Sequence, residues 1–247
     1  MARYRFLKNA PIREAIIDLK VAPAVDATKL EPLFESLKER FPKQEIMQRS
    51  TFGFEIGPNE LRQSRVDGAV EGRRLTSDDG RHIVQIRSDG FTFSRLPPYE
   101  TWEAMKENAE PLWNAYVTHS GAEKVIRTAI RYINVMDLPL PIQAFQDYLC
   151  APPEIPAALP QELGGFFSRI IVVHRELGGA AVVTQALETS FENKVQVILD
   201  IDVFKEAKEM EWSASDPSVW ATLGKMRDFK NQIFFESITE KTAELFA

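Results

Sequence analysis

Residues 73–96 read RRLTSDDGRHIVQIRSDGFTFSRL, and this stretch decides the fold. Three runs, Arg73–Thr76, Arg81–Arg87 and Phe91–Leu96, are separated by Asp79-Gly80 and Asp89-Gly90. Asp-Gly between alternating runs is a strong short-range signal for a β-hairpin, because the turn needs positive φ and glycine supplies it freely. Positive φ is therefore expected at both Gly80 and Gly90. Strands that turn straight back on one another pair antiparallel, so the stretch predicts an antiparallel meander, closed by Pro97-Pro98.

Working outward, residues 10–21 (APIREAIIDLKV) alternate as a strand. Ala15, Ile17, Leu19 and Val21 form its core face; Ile12, Glu14, Ile16 and Asp18 form the other. Residues 28–41 predict a helix, with Thr28-x-x-Glu31 as a capping box, Asp26 as a rival cap and Pro42 as the stop. Residues 46–56 predict a strand, and a polar loop with Gly57, Pro58, Gly68 and Gly72 follows. Tyr99 to about Ser120 reads as a helix with Trp102, Met105, Ala109, Leu112, Trp113 and Tyr116 inward, and a kink or restart is expected at Pro111. The second half repeats the order. Residues 124–135 predict a strand, 139–149 a short helix, and 151–160, with four prolines, a rigid irregular connection. Residues 166–175 and 181–187 pair across Gly178-Gly179, and residues 194–204 follow across Glu192-Asn193. A last helix opens at Asp216-Pro217, with Val219, Leu223, Met226, Ile233 and Phe234 inward. Ser237-x-x-Glu240 predicts a break before a final turn. The expected class is α+β: an antiparallel sheet with helices packed on one face. Two pseudo-repeated strand-helix-meander-helix halves, 1–122 and 123–247, would form one compact unit.

Composition narrows the function. The 247 residues are 44% hydrophobic and 27% charged, ordinary for a globular chain. A net charge of -6 argues against an electrostatic nucleic-acid or membrane binder. The lone Cys150 excludes an intrachain disulfide or four-thiolate zinc site. Apolar runs are short, such as Ile170–Val173, and a cytoplasmic protein is expected. His82, His119 and His174 match no metal spacing, and glycine-rich nucleotide loops and the nucleophile elbow are missing, so no cofactor is expected.

Asn9-Ala10-Pro11-Ile12-x-Glu14-Ala15, Phe41-Pro42, Leu96-x-x-Tyr99-x-x-Trp102, Arg131-Tyr132-Ile133-Asn134 and Phe235-Glu236-Ser237-Ile238-Thr239-Glu240-Lys241 follow in order along nearly the whole chain. In these stretches the chain resembles a sporadically distributed prokaryotic protein family with no assigned activity, cofactor or catalytic residue. The resemblance implies an accessory gene, of the toxin–antitoxin or phage-defence kind.

Three constellations carry candidate chemistry. Asp200 and Asp202 share one strand face and would hold a divalent cation, or else sit balanced by arginines across the sheet. Arg127 and Arg131 share a face, as do Glu14 and Asp18, with Arg169 and Arg175 as further members. This ladder reads either as a recognition surface or as internal pairing. Arg62, Arg65, Arg73, Arg74, Arg81 and Arg87 form a basic stretch near Phe91 and Phe93 that would suit single-stranded nucleic acid, but Glu60, Asp67, Glu71, Asp78, Asp79 and Asp89 offset it. The leading expectation is a non-enzymatic interaction or regulatory protein with a protein partner, and a homodimer stays open. The alternatives are a small-ligand module with a cavity between sheet and helix, lined from the 16 phenylalanines, and a metal-dependent hydrolase using Asp200 and Asp202.

Overall fold

A computed structural model of the chain describes residues 1–56, 61–161, 163–187, 194–206 and 212–247, with the backbone alone at 49–56, 61–67 and 69. Gly57, Pro58, Arg62, Arg65 and the Glu192-Asn193 turn, singled out above, lie outside the described residues or side chains.

The described strands are β1 (Ile12–Ala22), β2 (Lys43–Ile56), β3 (Leu61–Thr76), β4 (His82–Arg87), β5 (Gly90–Arg95), β6 (Lys124–Pro139), β7 (Phe167–His174), β8 (Gly179–Leu187), β9 (Lys194–Glu206) and β10 (Trp212–Ser213). They form one antiparallel sheet in the order β2-β3-β4-β5-β1-β6-β9-β8-β7, with β10 added to β6. The helices are α1 (Glu31–Ser36), α2 (Trp102–Ser120), α3 (Ser218–Ser237) and α4 (Glu240–Glu244). The α+β class with antiparallel sheet is therefore as expected.

The topology follows from the meanders. β1 and β6 lie side by side at the centre. On one flank the chain runs from the outer β2 inward to β5; on the other it runs from the outer β7 inward to β9. The two halves thus mirror each other in strand order, and one hydrophobic cluster joins them. Its inner layer comes from Ala15, Ile17, Leu19 and Val21 of β1, from Val84, Ile86, Phe91 and Phe93, from Ile130 and Tyr132 of β6, and from Val195, Val197, Leu199, Ile201 and Val203 of β9. Strand alternation sends the charged partners of these residues to the opposite face.

Several local expectations are corrected. Asp26 wins the first helix cap: its carboxylate accepts the Thr28 N–H at 2.9 Å. The helix expected over 28–41 is shorter, a 3-10 turn at Ala27–Leu30 followed by α1. The region expected as a loop around Gly68 and Gly72 is strand β3, paired with β2 and, from Gly72 on, with β4. α2 runs through Pro111 without a restart. Pro111 and Glu107 lie on its exposed side, so water can take the carbonyl that the ring leaves unbonded. The helix expected over 139–149 is reduced to a 3-10 turn, Phe145–Asp147, and its first residue, Pro139, belongs to β6 opposite Lys194. Thr239, not Ser237, caps the helix after the predicted break.

The two Asp-Gly sites differ. Gly80 has φ 69°, as its turn requires. Gly90 is not in a positive-φ turn; it is the first residue of β5, paired to both Arg87 and Lys20. It must still be glycine, because a Cβ there would lie 2.4 Å from the Leu19 carbonyl oxygen.

Candidate functional site

The sheet face away from the helices carries the predicted ladder. Asp18 is its hub: it accepts from Arg127 at 2.8 Å, from Thr92 at 2.8 Å and from Arg87 at 3.3 Å. Arg127 also reaches Asp202 at 3.8 Å. Arg131 does not reach Asp18; its Nε and Nη2 grip Asp200 at 2.9 and 2.6 Å. That fork raises the Arg131 pKa further. Burial raises the Asp202 pKa, and Arg127 and Arg131 pull it back. Glu14 lies opposite Ile133, two positions from Arg131 on the same face. Arg169 stands on the outermost strand β7, and Arg175 in the turn after it, both exposed and away from this cluster.

The ladder is therefore largely closed on itself. Asp200 and Asp202 are each held by a guanidinium, and among the described residues no group of three acidic, histidine or cysteine side chains is placed to hold a metal. The arginines of the basic stretch whose side chains are described are paired as well: Arg73 with Glu31 at 2.7 Å, Arg74 with Glu45 at 3.1 Å, Arg81 with Asp79 at 3.9 Å and Arg87 with Asp18 and Asp89.

The site that the residue patterns did not single out lies on the other side of the sheet. A pocket of about 250 Å³ opens between residues 4–12, the start of α2 and the middle of α3. Tyr4 to Leu7, with Ala10 and Pro11, form one wall. The Ala2 N–H donates to the carbonyls of Phe235 and Ile238, Arg5 pairs with Glu240, and Tyr4 packs against Phe235. Leu7, Ile12, Trp102 and Phe234 supply apolar lining. Asn134 reaches the pocket from β6, its side-chain amide anchored on the Leu199 carbonyl at 2.9 Å.

Lys230 of α3 lines this pocket and is only 7% exposed. Its Nζ sits 3.9 Å from the centre of the Tyr132 ring. Burial, reinforced by the nearby Arg227 charge, pulls its pKa down to about 7. The Tyr132 hydroxyl is 3.0 Å from that of Tyr99, whose own pKa burial pushes up to about 12. Near neutral pH the amine is thus divided between its charged and neutral forms, an unusual state for a lysine. The signal for Lys230 was present in the sequence. Val219, Leu223, Met226 and Phe234 define an inward stripe, and position 230 falls on it at helical spacing.

Four of the five motif stretches quoted above converge here. Ala10, Pro11 and Ile12, Tyr99 and Trp102, Asn134, and Phe235 all line the pocket. No protein-family model matches the chain, and no curated protein sequence matches it. No described helix is long and apolar enough to cross a membrane.

Proposed function

We propose that this protein is a small-ligand-binding module whose ligand occupies the pocket around Lys230. The observation that carries the reading is a buried lysine with no hydrogen bond or ion pair of its own among the described residues, set in a largely apolar cavity. A few polar groups in an apolar concave site are the usual composition of a ligand pocket. The convergence of four separate motif stretches on the same walls supports it. The ladder on the opposite face, whose central charges pair internally, gives less support to recognition through that face. Filling the pocket tests the proposal. Ala10→Trp should leave the melting temperature nearly unchanged and abolish binding of small amphipathic probes, read by displacement of an environment-sensitive dye. Unaltered probe binding in a folded Ala10→Trp would refute it.

A second reading, an interaction protein, is favoured by a different feature. β7 is an outermost strand, and Phe167, Ile171 and Val173 on one of its faces are 72%, 63% and 69% exposed. An apolar edge strand with unpaired backbone groups is a template for pairing with another chain. Ile171→Lys, compared with wild type by light scattering across a concentration series, tests whether that chain is a second copy. A monomeric wild type at high concentration would count against self-association. The accessory or defence role implied by the family resemblance would be served by either reading.

A further inference from the structure

The charges around the pocket pair off, with one exception. Arg227 is engaged by Asp228 at 2.8 Å and by Glu103 at 3.5 Å. Arg5 is paired with Glu240. Glu100 is held by Arg95 at 3.0 Å. Tyr4 accepts a hydrogen bond from Asn231 at 3.0 Å, and Tyr99 and Tyr132 bond to each other. Lys230 is left, among the described residues, as the cation of the pocket wall with only an aromatic face for company. A buried charge without a counter-ion is unfavourable, and the amine relieves this by losing its proton. A ligand that brings the missing negative charge would restore it.

We infer that the ligand is a small monocarboxylic acid, its carboxylate against Lys230 and its apolar body against Leu7, Ile12, Trp102 and Phe234. This rests on the ligand-pocket reading above. Glu100 and Glu103 also line the pocket, and their negative charge favours a ligand with a single negative charge over a phosphate dianion. The volume of about 250 Å³ displaces roughly eight water molecules at about 30 Å³ each, so the body is that of a short acyl or aryl chain.

The test uses the full chain with octanoate and 3-phenylpropionate, beside octanamide, octanol and octyl phosphate. Calorimetry at pH 8 in two buffers of different ionisation enthalpy counts the protons exchanged. The expected result is carboxylate binding with uptake of close to one proton, since most Lys230 is neutral at that pH. Affinity should then weaken about tenfold per pH unit above pH 8. Lys230→Met should bind carboxylates at least tenfold more weakly and take up no proton, with octanamide binding unchanged. Equal affinity for acid and amide, tighter binding of octyl phosphate, or carboxylate binding undiminished in Lys230→Met would overturn the acid assignment and leave the pocket reading standing. Failure of every probe, charged and neutral, to bind would overturn both.

Discussion

Replacing Lys230 with methionine should stabilise this protein, and by an amount that depends on pH. Lys230 is almost wholly buried and has its pKa lowered from 10.5 to about 7, first by burial and then by Arg227. That shift corresponds to about 5 kcal/mol of preference for the neutral form, at roughly 1.4 kcal/mol per unit. The sign follows from proton counting. Between pH 7 and pH 10.5 the unfolded chain keeps the lysine proton and the folded chain releases it, so the unfolded state binds more protons and stability rises with pH. The cost of Lys230 is then about 4 kcal/mol at pH 7 and about 2 kcal/mol at pH 9. Methionine has a similar length, no charge and no titration, so the variant escapes this cost. Urea denaturation of both proteins at pH 6, 7, 8 and 9 measures the difference. The advantage of Lys230→Met should be largest and flat below pH 7, and should shrink by about 2 kcal/mol between pH 7 and pH 9. A difference that stays constant across this range would show that Lys230 is solvated or paired in the folded protein, and the charge accounting of the pocket would fall with it.

Other expectations follow from single contacts. Gly90→Ala places a Cβ 2.4 Å from the Leu19 carbonyl; it should cost about 2 kcal/mol or more in chemical denaturation, and a neutral result would mean that β1 and β5 separate there without penalty. Arg127→Gln and Arg131→Gln should differ, because Arg127 is 23% exposed and serves Asp18 and Asp202, whereas Arg131 is 45% exposed and serves Asp200. Denaturation should give a loss of about 2 kcal/mol for the first and about 1 kcal/mol or less for the second. The Arg127→Gln deficit should shrink toward pH 4, since Asp202, whose folded pKa burial raises, destabilises only while ionised. Tyr132→Phe removes the 3.0 Å partner of the Tyr99 hydroxyl; a loss of about 1 kcal/mol is expected, and calorimetric melting would detect it.

Much of the fold was legible because it rests on local periodicity. The meander at 73–96, the core face of β1 and the inward stripe of α2 all come from patterns that a few neighbouring residues express. Even so, the reason for Gly90 was not legible. An Asp-Gly pair signals a turn, but what demands the glycine is the carbonyl of Leu19, some seventy residues away, brought alongside by the β1–β5 pairing. The shortness of α1 and the reduction of 139–149 to a 3-10 turn were not legible either: local propensity and apolar spacing extended both helices further than the folded chain does.

The sequence by itself determined the class of architecture, the faces of the strands and the pairing potential of the charged ladder, since period-two alternation assigns each side chain to a face whatever the neighbouring strand. Only the tertiary structure decided which charges meet. It joined Arg131 to Asp200 and Arg127 to Asp18, because those distances depend on the register of β6 against β9 and β1. It also left Lys230 without a counter-ion by giving Arg227 to Asp228 and Glu103, Arg5 to Glu240 and Glu100 to Arg95. A lysine on an apolar helical stripe is visible in one dimension, but its isolation is a property of groups from three distant segments, and only their packing makes it a site.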